Sequence, residues 1–374
     1  MNYELNEDQR IIKESAHRLL AEACPSDFVR RMAQDEKGFT AELWNSMAEL
    51  GWMGLPFPEE YGGSGMSFLD LAVILTEMGY FCTPGPFFST VVLGGLTVLE
   101  VGSEEQKRAI LPEVAAGKRF LTLAWLEEEG VFQPQAIRLT ADLQADQYLL
   151  SGTKLFVPDA HVADTILCAA RTGKPPKAIS LFLVDAKQPG IRITPLHTVA
   201  DDKQFEVAFD RVPVPESGIL GKAGKGWPVL HNTLLRAAVG KCAEMDGASR
   251  KALEFAVGYA KERVQFGKLI GTFQAIQQHC ADMLTLADTI HFMTCHAAWK
   301  IAAGPPFDQE ASMCKAWVSQ NHRKLVALAH QVLGGIGFME EHDLQIYFRR
   351  AKAAELAFGD ADLHRERVAQ AMGL

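Results

Sequence analysis

The hydrophobic periodicity of this chain changes character twice, and that double change limits its fold more than any single residue does. From Asn6 to about Gly117 apolar residues recur at three- and four-residue steps. Ile11, Ile12, Ala16, Leu19 and Leu20 form one stripe, and Phe39, Leu43, Met47 and Leu50 form another. Ser103-Glu104-Glu105 reads as the start of a further helix. After Lys118 the texture is different: short runs rich in Val, Ile, Leu and Phe, at 120–126, 147–150, 163–170, 178–184, 191–195 and 204–209, are separated by turn residues. Helical periodicity returns near Trp227 in four long segments, 228–264, 271–302, 308–333 and 341–359. The expected class is α+β, mainly α: an N-terminal helical domain (1–118), a middle antiparallel β-domain (119–222) and a C-terminal four-helix bundle (223–374).

With 374 residues, 48% of them hydrophobic, the chain has material for two or three packed domains. Its net charge of -9 argues against nucleic acid or an anionic membrane as the main partner, since both call for basic patches. No run approaches the ~20 apolar residues of a membrane span, and residues 1–20 lack the apolar region of a signal peptide. The seven cysteines are dispersed and form no CxxC, which fits a reducing cytoplasm. His279, His291 and His296 share one expected helix without HExxH or partnering ligands, so no metal site is expected. The glycine-rich stretches 61–65 and 218–226 lack phosphate-loop spacing and read as turns.

Three blocks carry a resemblance. Arg263-Val264-Gln265-Phe266-Gly267-Lys268 is followed by Ile270, by Phe273-Gln274-Ala275-Ile276-Gln277 and by Ala281-Asp282-Met283. Gly51-Trp52-Met53-Gly54-Leu55 runs into Pro58-Glu59-Glu60-Tyr61-Gly62-Gly63, and Gln331-Val332-Leu333-Gly334-Gly335-Ile336-Gly337-Phe338 lies near the end. In this order and spacing they resemble the acyl-CoA dehydrogenase family over nearly the whole chain. The resemblance implies FAD as cofactor, an acyl-CoA thioester as substrate, α,β-dehydrogenation, and an electron-transfer flavoprotein as acceptor. It implies cofactor contacts from Arg263, Gln265, Phe266, Phe273, Gln274, Gln331, Gly334 and Gly335, which in the family reach a neighbouring subunit's FAD. A guanidinium suits a pyrophosphate through short charge-assisted bonds. Adjacent glycines admit a ligand close to the backbone, at roughly 1 kcal/mol of helix propensity each. The bland alternatives are a surface arginine after Glu262 and a helix C-cap at the glycines.

Three departures stand against these matches. The family's aromatic-x-Thr triplet, whose hydroxyl bonds flavin N5, is matched here by Phe156-Val157-Pro158, and Pro158 has neither a hydroxyl nor an N–H. The upstream flavin loop, commonly Thr-Glu-Pro and then Gly-Ser-Asp, is replaced by Leu126-Glu127-Glu128-Glu129-Gly130-Val131-Phe132, whose acids would repel a pyrophosphate. The glutamate of the family's Tyr-Glu-Gly-Thr, its usual base, is matched by Phe358 within Leu356-Ala357-Phe358-Gly359-Asp360. The alternative base position falls at Ala237, beside Arg236 and Ala238. Asp360 and Glu244 are the nearest substitutes, and helical geometry would point both elsewhere.

No catalytic residue is therefore expected. Groups for this chain's own flavin ring are lost, while groups for a neighbour's FAD remain. That asymmetry resembles the small, base-less subunits of heterotetrameric family members that act on bulky acyl-CoAs, such as steroid side chains, or on dicarboxyl-CoAs. Residues 83–90 and the ending from Phe358 to Glu366 share the likeness, and 81–90 is expected as a loop shaping a substrate cavity. The expected partner is a homologous subunit carrying the catalytic Glu. A self-sufficient homo-oligomer with a displaced base, such as Asp360, and a non-enzymatic scaffold remain as alternatives.

Overall fold

The computed structural model describes residues 4–173 and 178–374. The N-terminal helices are α1 (Glu7–Ala23), α2 (Ser26–Gln34), α3 (Ala41–Glu49), α4 (Phe68–Tyr80), α5 (Leu96–Val101) and α6 (Glu104–Ala115). Side chains define several of their starts. Asn6 and Gln9 exchange reciprocal bonds at α1, and Ser103 and Gln106 do the same at α6, the start its sequence announces. Residues 88–90, expected in a loop, instead open a π-helix over Phe88–Gly95. A Cβ on its Gly94 would lie 2.3 Å from Leu121 Cβ, so glycine is what lets this helix lie against the following strand.

The strands are β1 (Leu121–Ala124), β2 (Thr140–Gln144), β3 (Gln147–Pro158), β4 (Thr165–Arg171), β5 (Ile179–Asp185), β6 (Ile191–Leu196), β7 (Gln204–Pro215) and β8 (Ile219–Leu220). They form one sheet in the order β6-β7-β3-β2-β4-β5-β8, with β1 also pairing β4. Most pairings are antiparallel as expected, but β1 runs parallel to β4 in register Leu121↔Thr165. β2 has one buried residue in five and so no apolar run to announce it. β3 outruns its predicted end at residue 150 because bulges after Leu150 and Lys154 interrupt its alternation. Pro213 and Pro215 fall where β7 has lost β6 and pairs only with β3, so their missing N–H groups break no ladder bond. The core of this sheet includes Leu150, Ile166, Phe182, Val207 and Val212.

The C-terminal elements are α7 (Gly226–Glu262), the strands β9 (Val264–Gln265) and β10 (Lys268–Leu269), then α8 (Gln274–Ala302), α9 (Asp308–Leu333), α10 (Leu344–Leu356) and α11 (Ala361–Ala371). The four expected long helices are present. α11 is an addition, unannounced because only Ala361 and His364 of it are buried.

By its contacts the chain divides into two compact units. One comprises the chain up to Arg31, Ser67–Thr83 and Leu235–Leu374; the other comprises Met32–Met66 and Pro84–Leu234. In the first unit Ala248, Ala252, Ala256 and Ala260, four residues apart on α7, put small side chains along one buried face. Gly79 of α4 and Gly247 of α7 bring two backbones together, since a Cβ on Gly247 would sit 1.8 Å from Thr76 O. No described helix is long and apolar enough to cross a membrane.

Candidate functional site

The residues singled out in the sequence occupy two surface segments of the first unit. α7 ends at Glu262, and the backbone turns through Arg263, whose carbonyl accepts from Ile270 N at 2.8 Å. β9 and β10 form a hairpin whose turn residues, Phe266 and Gly267, are both left-handed, with φ of 52° and 78°. A two-residue hairpin turn of the right twist uses that combination. The turn projects the Phe266 ring outward, 92% exposed, and it meets the Phe273 ring edge-on with centroids 6.1 Å apart. Lys268 Nζ lies 4.4 Å from the centroid of the Phe273 ring. Arg263, Gln265 and Gln274 are exposed. α8 begins at Gln274 with no side-chain cap and no acid in its first turn, which leaves a positive helix end suited to an anion.

The second segment closes α9. Gly334 is the C-cap, with φ 62°, and its N–H donates to His330 O; a short 3-10 turn, Gly334–Phe338, follows. The capping role is thus real, and a Cβ on either Gly334 or Gly335 would meet nothing within 4 Å. Neither glycine is required by packing inside the chain. Gln331 is exposed, and Phe338 is 74% exposed. Both segments are rooted in one apolar cluster that contains Ile270, Val332 and Leu333, with Phe273 packed against it. An arginine, polar side chains, an uncapped helix start and bare glycine backbone, all facing outward, fit a phosphate-bearing dinucleotide presented from outside the chain.

Elsewhere the geometry accounts for the departures in sequence. Glu127, in the acidic stretch, pairs at 2.7 Å with Lys154, which is 0% exposed and also donates to Trp125 O. Its carboxylate accepts from the backbone N–H of Arg138 and Leu139 as well, and Glu129 pairs with the Arg138 side chain. Two of the three acids are therefore spent inside this unit, tying the stretch to β3. The sequence reading missed this pair. The available signal was a lysine running directly into the apolar Leu155-Phe156-Val157.

Downstream, Phe156 (φ 52°) and Asp159 (φ 53°) are left-handed on either side of Val157-Pro158. Thr122 Oγ1 donates to Pro158 O at 2.5 Å, and Ser89 Oγ donates to the Asp159 carboxylate at 2.6 Å.

Neither expected base position carries an ionisable group. Ala237 is fully buried, and Phe358 lies between α10 and α11. Asp360, weighed as a displaced base, is the N-cap of α11; its carboxylate accepts from Leu363 N at 2.9 Å. Glu244 is paired to Lys241 at 2.5 Å. Of the three histidines on α8, His291 holds the buried Asp246 at 2.8 Å. Burial lowers its pKa, but the Asp246 carboxylate outweighs burial and raises it to about 9.

Comparison with known proteins matches three profiles in chain order: the acyl-CoA dehydrogenase N-terminal domain over residues 6–118, the middle domain over 122–212 and the C-terminal domain over 224–373. An acryloyl-CoA reductase (NADH) of Anaerotignum propionicum is 32% identical over 378 residues, covering 99% of this chain and 95% of that protein. Among solved structures, PigA with FAD and proline superposes with a TM-score of 0.92 at 25% identity, covering all of both chains. The ChsE4-ChsE5 complex of Mycobacterium tuberculosis gives 0.91 at 25% identity, covering 100% of this chain and 99% of that one. With all three domains matched in order, and with the fold shared end to end, the chain belongs to the acyl-CoA dehydrogenase family of FAD-dependent oxidoreductases acting on CH–CH bonds.

Proposed function

We propose that this chain is a subunit of a heteromeric acyl-CoA dehydrogenase, completing the FAD site of a homologous partner that carries the catalytic Glu. One contrast carries the reading. The groups suited to a dinucleotide, Arg263, Gln265, Phe266, Phe273, Gln274, Gln331, Gly334 and Gly335, lie on outward-facing segments, while the base positions hold Phe358 and Ala237. FAD supplies the hydride-accepting ring of the reaction. The arginine and the helix start of α8 would hold its phosphates, and the glycine backbone would lie against its adenosine half. The substrate is an acyl-CoA thioester, and an electron-transfer flavoprotein is the proposed acceptor. ChsE4-ChsE5, a complex of two differently named proteins, offers a precedent for pairing within this fold. The cytoplasm remains the proposed compartment, supported by five cysteines buried as free thiols.

A self-sufficient enzyme using Asp360 is disfavoured, because that carboxylate already caps α11. The test is purification of the full chain alone and together with a homologue bearing Glu at either base position. The mixed assembly is expected to be yellow, with one FAD per pair of subunits, and Arg263→Gln should lower its flavin content while assembly mass is kept. A chain that forms a fully flavinylated homo-oligomer with turnover on its own would refute the proposal.

A further inference from the structure

α7 and α8 enclose a carboxylate and set a histidine and a cysteine beside it. Asp246 of α7 is 1% exposed, and its Oδ2 lies 2.8 Å from Nδ1 of His291 on α8. One turn further along α8, Cys295 Sγ stands 3.6 Å from Nε2 and 3.7 Å from Nδ1 of the same ring. Residues four apart share a helix face, which is why the thiol meets the ring. Arg250 also rests on Asp246, at 3.2 and 3.4 Å, and its Nη2 lies 2.6 Å from His291 Nδ1. Were that nitrogen to accept from Arg250, its lone pair would face a buried carboxylate oxygen; protonated, it donates to Asp246 instead. Burial lowers the pKa of this ring, but its bonds to Asp246 and Cys295 outweigh burial and raise it to about 9. The sulfur, nearly equidistant from both nitrogens, therefore borders the positive charge that they share.

The same helix carries an internal reference. Cys280 and Cys295 are both partly exposed, while the other five cysteines are buried. Burial alone raises the Cys280 thiol, whereas Cys295 lies against the His291 ring. Phe292 and Trp299, three residues before and four after Cys295, are 48% and 44% exposed, so this face of α8 reaches solvent.

We propose that Cys295 is a reactive thiol that takes up a low-molecular-weight disulfide, with His291 stabilising its thiolate and Asp246 as the positioning residue that holds the ring. The thiolate is the attacking species, and an adjacent imidazolium favours it. Its sulfur bonds to one sulfur of the disulfide, the original S–S bond breaks, and the departing thiolate takes up the proton that the cysteine gave up. Cys295 is oxidised to a mixed disulfide, and the other half of the reagent is reduced to a free thiol. The disulfide is itself the oxidant, and the step depends on neither flavin nor a second subunit.

Oxidised glutathione is the probe, added to the full chain at pH 7, with adducts at each cysteine followed by mass spectrometry. Cys295 should be modified about tenfold faster than Cys280, and the two rates should converge when the chain is unfolded in urea. Cys295→Ser should remove the fast phase and leave the slow one. His291→Gln, which keeps a donor for Asp246 but no charge, should slow Cys295 about tenfold without changing Cys280. General loosening of the helices would not produce that split. If this variant does not fold, the native comparison and Cys295→Ser still decide. Equal rates at the two cysteines in the folded chain, or an undiminished Cys295 rate in folded His291→Gln, overturns the proposal.

Discussion

Acidification should destabilise the helical unit through His322. His322 lies fully inside that unit, with Nδ1 2.7 Å from Ser249 Oγ. Because the Ser249 hydroxyl donates to Met245 O at 2.8 Å, its oxygen accepts from His322 Nδ1–H. Burial pushes the His322 pKa down to about 4; the nearby Asp246 raises it and Lys315 lowers it. The unfolded chain takes up this proton near pH 6.5 and the folded chain only near 4. The stability that His322 contributes is therefore complete above about 6.5 and is lost as pH falls toward 4. Some 2.5 pH units at about 1.4 kcal/mol each make the total roughly 3.5 kcal/mol. His364 acts in the same direction, its pKa lowered by burial to about 3. His291 acts in the opposite direction: raised to about 9, its contribution is present below about 6.5 and fades as pH climbs toward 9. Urea unfolding followed by helical circular dichroism, at fixed protein concentration between pH 7 and 4.5, reads the effect. His322→Gln keeps a donor for Ser249 and does not titrate. The native chain should lose stability more steeply than this variant, by close to one proton's worth, about 1.4 kcal/mol per pH unit below pH 6. Parallel curves for the two proteins would refute the reasoning.

Two further predictions concern packing and buried charge. Lys154→Met leaves the Glu127 carboxylate without its cation and should cost about 3 kcal/mol in urea unfolding, part of it recovered in the double variant with Glu127→Gln; an unchanged midpoint in the single variant would contradict the buried-pair assignment. Gly247→Ala should sharply lower the melting temperature or prevent folding, since its Cβ would meet Thr76 O at 1.8 Å. Gly258→Ala, on the same helix with nothing within 4 Å, should instead stabilise by up to about 1 kcal/mol.

Periodicity made the large elements legible because each of α7, α8 and α9 repeats its apolar spacing for many turns. It failed where tertiary context supplies the stabilisation. β2 is held by ladder bonds to β3 from Thr140↔Ser151 to Gln144↔Gln147, not by an apolar run. α11 is fixed by its Asp360 cap and one buried histidine. The parallel run of β1 beside β4 is a long-range choice that no local pattern in Leu121–Ala124 encodes. The exposed segments that carry Arg263, Phe266 and the glycine pair were picked out by family resemblance, and the hairpin of β9 and β10 that presents the first of them had no apolar pattern to announce it. The roles of Lys154 and Asp246 were not legible, because a buried polar residue is explained only by its partner, and those partners lie 27 and 45 residues away.

The fate of the carboxylates separates the two ways in which this chain could act. An acid that is to abstract a proton needs a free lone pair aimed at the substrate. Asp360 has given one to a helix N–H, Glu127 is shared between a buried ammonium and two amides, and Glu244 is paired within its own helix. Arg263 and Gln331, by contrast, are exposed, and the glycines beside Gln331 open onto empty space. An exposed guanidinium beside a 92% exposed phenylalanine does little for the stability of its own chain. Each of these three acids is engaged by groups of its own unit, while the outward segments keep polar groups exposed. That distribution fits a protein whose contribution is realised on a cofactor held jointly with another subunit.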